Sequence, residues 1–409
     1  MTNVKLGAIA LASAATLTAS LAHADEPAAA PSTLAEALAA SKPLFDARIR
    51  YEFVDQDGFA EDANALTYRL RLGVETGSFL GTSLLVDIDH VEDIAGDFNS
   101  TINGETGYPV VADPDATELN RLQLTNKSLP DTTITLGRQR IILDDSRFVG
   151  NVGFRQNEQT FDALRAVNKS VENLTVDVAY VGQVNRIFGD DSPMGRWDSD
   201  SWFVNAGYAV PLDGAKLQLS GFAYLLDFDS APAMSSETFG AAAAFTKGIA
   251  TVKGSYALQS DYGNQPVDYE ADYYFVEGAL AQGSLSGGIG YEVLTGDGTR
   301  AFSTPLATLH KFNGWADKFL GTPADGLEDF YVRGGWKAGD AGALKGISLT
   351  GIWHDFSSEN SGADLGSELD LVAGASLGKA KLTVKYADFG AEDFATDTAK
   401  FWFQMDYGI

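Results

Sequence analysis

From Leu44 onward, apolar and polar side chains alternate one by one along segment after segment. Phe45, Ala47, Ile49, Tyr51 and Phe53 share one parity, and Asp46, Arg48, Arg50 and Glu52 share the other. Leu66, Tyr68, Leu70, Leu72 and Val74 oppose Arg69, Arg71 and Glu75. Leu80, Leu84, Val86 and Ile88 oppose Ser83, Asp87 and Asp89. Later segments repeat the scheme: Leu174, Val176, Val178, Tyr180 and Val184 against Asp177 and Gln183, then Leu369, Leu371, Ala373, Ala375 and Leu377 against Glu368, Asp370 and Ser376. A period of two marks β-strands with two unlike faces. The arginines decide which face is which. One Arg turned to lipid at the membrane midplane costs roughly 2–4 kcal/mol, and the first segment carries two. The charged face must therefore look at water inside the structure and the apolar face at lipid. Backbone groups in hydrocarbon have no water to bond, so the sheet must close on itself. The expected fold class is all-β: a transmembrane antiparallel β-barrel of outer-membrane type, spanning residues 44–409, with about eighteen strands.

The ends of the chain fit this reading. Lys5, the apolar run Leu6 to Leu21, and Ala22-His23-Ala24 before Asp25 have the order of a secretory signal peptide, residues 1–24. That run is short and Ala-rich for a membrane anchor, and no later stretch approaches the ~18 apolar residues of a spanning helix. Residues 25–43 are rich in Ala and Pro and are expected to be a periplasmic linker. They would hold either one short helix, Thr33 to Ala40, capped by Ser32, or a flexible tether. At the other end Phe401, Phe403, Met405 and Tyr407 alternate with Lys400, Trp402, Gln404 and Asp406. Outer-membrane barrels close on such an aromatic strand, which the barrel-assembly machinery reads.

Composition excludes several functions. The net charge of −27 argues against nucleic acid as a partner, since that needs a basic face. The absence of cysteine removes thiol chemistry and disulfides. Abundant Gly, Phe and Tyr suit tight turns and aromatic girdles. Asp55-Gln56-Asp57-Gly58 with Glu61-Asp62 lacks the full pattern of a calcium loop and is expected to be a solvated acidic loop. Gly287, Gly288 and Gly290 sit in an alternating strand, not in the strand-to-helix setting of a nucleotide loop. His90, His310 and His354 are far apart and no serine nucleophile elbow is present, so no catalytic residue, metal or cofactor is expected. Gly77-Ser78, Leu212-Asp213-Gly214 and Gly378-Lys379 read as short periplasmic turns. Glu92 to Thr117 and Gly296 to Asp329 read as long loops. The second, with Phe302, Phe312, Trp315 and Phe319, either folds inward as a constriction or packs on its own surface.

Leu136 to Arg165 resembles the alginate-export family of outer-membrane barrels. The residues that carry the likeness are Gly137-Arg138-Gln139-Arg140, Arg147-Phe148-Val149-Gly150, Arg155-Gln156-Asn157 and Thr160-Phe161-Asp162. The resemblance implies an eighteen-stranded barrel in a Gram-negative outer membrane and an arginine-rich lumen for a polyanionic polysaccharide or smaller anionic solutes. The chain's overall acidity departs from the electropositive conduit such an exporter needs.

The arginines cluster in the first half of the chain. Arg48, Arg50, Arg69, Arg71, Arg121, Arg138, Arg140, Arg147 and Arg155 are expected to line the pore, with Glu52, Glu75, Asp87 and Asp89 beside them. Early strands are neighbours in a barrel, so the arginines form a strip that either grips carboxylates or serves as an arginine–carboxylate ladder. Arg138 and Arg140 share the parity of lipid-facing Leu136, so a bulge at Gly137 is predicted to turn both inward. The expected function is passive passage of polar or anionic solutes through the outer membrane. The alternatives are a lipase-like barrel enzyme and a structural barrel sealed by loops. The expected partners are outer-membrane lipid and lipopolysaccharide, the assembly machinery, and the solutes or polysaccharide.

Overall fold

A computed structural model describes residues 31–408. The signal peptide and the start of the linker lie outside the described residues. Among these residues the chain forms eighteen antiparallel strands: β1 (Lys42–Gln56), β2 (Ala63–Glu75), β3 (Thr82–Asp97), β4 (Ala116–Asn126), β5 (Thr132–Gln139), β6 (Thr160–Asn168), β7 (Leu174–Asn185), β8 (Arg196–Val210), β9 (Lys216–Leu226), β10 (Ser236–Lys247), β11 (Ala250–Ser260), β12 (Glu270–Gln282), β13 (Leu285–Leu294), β14 (Leu327–Ala341), β15 (Leu344–Ser357), β16 (Asp364–Leu377), β17 (Ala380–Ala391) and β18 (Thr398–Gly408). Each strand pairs with its neighbour in sequence, and β1 closes the ring against β18, from Asp46↔Gly408 to Gln56↔Thr398. No edge is left unpaired, which is what hydrocarbon requires. The barrel thus begins two residues before the expected Leu44.

The two faces separate as the alternation demands. Arg50 is 1% exposed and Glu52 0%, while Ile49, Leu72, Ile88 and Leu285 stand 41–63% exposed to the outside. The connections also alternate. Those at 76–81, 127–131, 211–215 and 378–379 are short, and those at 98–115, 140–159 and 295–326 are long. Before β1 lies one helix, α1 (Leu34–Ala39). Thr33 caps it in a capping box with Glu36, so Thr33 takes the role expected of Ser32. Ala37 is buried and its carbonyl accepts from Gly77 N at 3.0 Å, which seats α1 on the β2–β3 turn.

The three long connections fold into the barrel. They are named LA (98–115), LB (140–159) and LC (295–326). Val111 of LA, Ile141 of LB, and Phe302 and Leu306 of LC are each fully buried. LB and LC run side by side: Val149 pairs with Leu306 in parallel, Gly150 N donates to Leu306 O at 2.9 Å, and Thr308 N to Ser146 O at 3.0 Å. Of the two fates expected for LC, the inward one holds. The reason is a greasy inner wall. Phe161, Phe203, Phe222, Tyr224 and Tyr273 point inward from β6, β8, β9 and β12 and are almost fully buried. Phe148 of LB and Phe302 of LC pack into them with ring centroids 4.7–6.1 Å apart. Apolar loop faces cover apolar wall that water would otherwise meet.

Candidate functional site: the lumen constriction and its outer chamber

Most of the arginine strip stands where the alternation puts it, and the structure shows what it holds. Arg48 Nη1 donates to three consecutive LB carbonyls, Gly153, Phe154 and Arg155, each at 3.0 Å, while its Nε meets Asp406 at 2.7 Å. Arg50 pairs with Asp113 of LA at 3.2 Å, binds Phe154 O, and stacks over the Phe154 ring at 4.2 Å. Arg69 bonds Gln156 O at 3.2 Å and Asp46. Arg71 holds Asp89 through two bonds of 2.5 and 2.6 Å and reaches Glu158 of LB at 3.0 Å. Arg121 lies on Asp87. The strip is therefore an arginine–carboxylate ladder, from which Arg48, Arg50 and Arg69 also donate to the backbone of LB. Glu75 does not join it. It lies exposed at the turn-side rim, because β2 ends there.

The bulge expected at Gly137 is not there. β5 stays in register through Gln123↔Gly137 and Leu122↔Arg138. Arg138 therefore keeps the parity of the exterior residues Leu122 and Leu136, and meets Asp162 at 2.8 Å. Arg140 does turn inward, onto Glu158 at 2.7 Å, because β5 has already ended at Gln139. Register slips fall elsewhere, among them at Asn120 of β4 and at Gly182 of β7, where the pairing slips between Val181 and Gln183 on both flanks. Val184, expected on the lipid face, is consequently buried inside.

Loop carboxylates complete the clamps. Asp113 accepts from Gln156 N at 2.8 Å and lies 3.6 Å from Arg155. Arg155 also pairs with Glu52 at 3.0 Å and with Asp317 of LC at 3.4 Å. Arg147 binds Glu292, Thr304 and Asn313 at 2.8–3.2 Å. Asp317 gathers Lys400 at 3.0 Å and His310 Nδ1 at 2.7 Å. His310 Nε2 in turn lies 2.6 Å from Lys385 Nζ, and its ring stacks on Phe154 with centroids 3.6 Å apart. A carboxylate at Nδ1 and an ammonium at Nε2 fix His310 as the neutral Nδ1–H tautomer. Burial, with Lys385 close by, lowers its pKa to about 3. Around Asp317 the hydrogen bond from neutral His310 and the charges of Lys400 and Arg155 outweigh burial, as do Arg71 and Arg140 around Glu158, and both carboxyls are held well below the usual range.

Above this constriction opens a chamber of about 870 Å³ lined by all three loops. Its apolar lining includes Phe59, Phe188, Trp197, Met234 and Phe319. Its cations fall in two groups. Arg147, Arg155 and Lys400 are paired as described. Arg186, Arg300 and Lys318 make no ion pair among the described residues. Arg186 lies over Trp197 and Phe188, at 3.9 and 4.8 Å, and donates to Met194 O. Arg300 lies over Tyr269 at 4.9 Å and donates to Ala233 O. Burial lowers Arg186 to about 10, with no carboxylate to offset it. Burial, then the neighbouring Lys400, lowers Lys318 to about 8. Sequence reasoning passed these three over because they fall in irregular loops, where parity says nothing about direction. His90 faces outward, bonded to Tyr68 and Thr117 at 3.0 and 2.7 Å.

No family model matches the chain, and no curated protein matches it by sequence. Solved structures do. OpdO of Pseudomonas aeruginosa superposes with a TM-score of 0.71 at 15% identity, over 92% of this chain and 98% of its own. OccAB2 of Acinetobacter baumannii gives 0.70 at 15%, over 90% and 98%. OpdK of P. aeruginosa, solved with vanillate, gives 0.68 at 14%, over 90% and 98%. These likenesses support an outer-membrane β-barrel porin fold and do not support the alginate-export family that Leu136–Arg165 resembles. Within Leu136–Arg165, Arg140, Arg147, Arg155, Gln156 and Gln159 serve to seat LB, while Arg138 and Arg165 pair with Asp162 and Asp177 on the wall. The chain has the closed eighteen-stranded antiparallel fold of outer-membrane porin structures.

Proposed function

We propose that this chain is a passive channel in the outer membrane of a Gram-negative bacterium, and that it favours small anions, carboxylates among them. The observation that carries the reading is the chamber. Three cations without an ion pair among the described residues, Arg186, Arg300 and Lys318, line an aromatic vestibule in a chain of net charge −27. A guanidinium grips a carboxylate through two parallel bonds, and the ring beneath it adds apolar contact. OpdK, a barrel of the same fold, was solved with vanillate, itself a carboxylate. A long polyanion fits less well, because LB and LC are bonded together across the lumen.

The test is reversal potential under a KCl gradient in a planar bilayer. Wild type should pass anions over cations, and Arg186→Gln/Arg300→Gln/Lys318→Gln should lose most of that preference. Neutralising Arg48, Arg50, Arg69 and Arg71 should instead disturb loop seating and make the current noisy. Cation preference in wild type, or an unchanged triple variant, sinks the reading. A barrel with no conductance would favour the loop-sealed alternative.

A further inference from the structure

β16 (Asp364–Leu377) sets Glu368 and Asp370 on the inward face, two residues apart. They are 1% and 0% exposed. LC lies directly across them. Ala316 N donates to Glu368 Oε1 at 2.7 Å, and Trp315 N to Asp370 Oδ2 at 3.2 Å. Gly314 comes just before, at φ +84°, and a Cβ there would sit 2.3 Å from Glu368 Oε2. The turn of LC is moulded to the two carboxyls.

Their other oxygens are the anomaly. Glu368 Oε2 and Asp370 Oδ1 are buried with no donor among the described residues. The charged surroundings offer none. His354 of β15 gives Nδ1 to Asp329 of β14 at 2.8 Å and holds Nε2 at 3.7 Å from Asp370 Oδ2. Lys385 of β17 is engaged by His310 and lies under the rings of Trp315, Phe154 and Trp402 at 3.9–5.1 Å. Lys318 and Asp317 of LC act on Glu368 without a bond, and Glu292 of β13 is tied through Asn313 to Asp329. Glu368 and Asp370 are successive residues on one face of β16 and accept from the consecutive N–H groups of Ala316 and Trp315, which sets their carboxyls side by side. Buried acceptors without donors are costly, and one proton between two carboxyls supplies the missing O–H···O bond. A metal fits less well, since no group of three His, Asp or Glu side chains placed to hold one occurs among the described residues.

We propose that Glu368 and Asp370 share one proton, and that this proton is the catch that keeps LC seated in the lumen. Its loss leaves two like charges facing each other and removes the bond between them. Gly314–Ala316 then loosens, and LB moves with LC because the two are bonded at Val149 and Leu306. Alkaline pH should therefore bring frequent loop closures. The inference holds whichever solute the barrel passes.

Infrared spectroscopy of the folded barrel in detergent tests it directly. At pH 7 the wild-type-minus-Glu368→Gln difference spectrum should show a protonated-carboxyl C=O band that shifts in D2O. Raising the pH should abolish the band and, in bilayers, raise the closure rate several-fold over the same range. In Glu368→Gln the amide donates to Asp370 and still accepts from Ala316, so its closures should be flat with pH. Heat-modifiable gel mobility confirms folding, and Asp370→Asn replaces the first variant if that one misfolds. A spectrum without the band, or a variant whose closures follow pH as in wild type, overturns the proposal.

Discussion

Asp317 is the residue on which the constriction turns. It sits at φ +62° and is shared by Lys400 of the wall, Arg155 of LB and His310 of its own loop. Removing one partner of a buried ion pair typically costs about 3–5 kcal/mol. Asp317→Asn should release LC, so that protease cuts within 295–326 faster than in wild type. A loop cut no faster would show that the LB–LC ribbon alone holds it. The pH response separates by sign. Asp317 and Glu158 are held below the usual carboxylate range, so their stabilisation is complete above about pH 4 and is lost only as pH falls through their lowered values. Neither titrates between pH 5 and 9. Lys318, lowered to about 8, does. In a Glu368→Gln background, which silences the pair on β16, anion preference should fall from pH 7 to 9. Lys318→Gln in that background should remove the fall, and reversal potentials at the two pH values check it.

At the scale of strands and loops, glycines set phase and close approach. Gly137 has φ +110°, and a Cβ there would lie 2.3 Å from Leu122 O. Gly137→Ala should cost about 1–3 kcal/mol of strain, read as a lower urea midpoint for the folded gel band. Gly207→Ala, with open space around it and no unusual φ, is the control and should leave the midpoint in place. β1 to β3 were legible from the sequence because charge on one face and grease on the other leave no choice of side. Gly137 was correctly singled out, but for the wrong device. Its positive φ bends β5 without slipping the register, and a slip falls at Gly182, where no charge conflict marks it. β9 hid its inward face, since Phe222 and Tyr224 are as apolar as the residues facing lipid. An aromatic inner wall makes sense only once a loop is known to cover it. The inward fold of LB was invisible for the same reason, although Arg147, Arg155 and Gln156, which make its contacts, drew notice as a motif.

For the whole barrel, the contrast lies between total charge and where charge is left unanswered. The chain carries −27, yet the arginines of its inner wall are matched by carboxylates or loop carbonyls, and three cations without an ion pair among the described residues, Arg186, Arg300 and Lys318, line one chamber. Selectivity should then depend on how far those charges reach. The screening length is about 10 Å at 0.1 M salt and about 3 Å at 1 M. In dilute salt the fields of Arg186, Arg300 and Lys318 overlap across the chamber and draw in any small anion. In concentrated salt each acts only at contact. Chloride preference measured by reversal potential should therefore shrink towards none between 0.1 and 1 M KCl. Block of chloride current by an aromatic carboxylate should survive better, because bidentate bonding and ring contact are short-ranged. Chloride preference that did not change with salt would place selectivity in the narrow, buried arginine ladder, where screening ions do not enter, and not in the chamber.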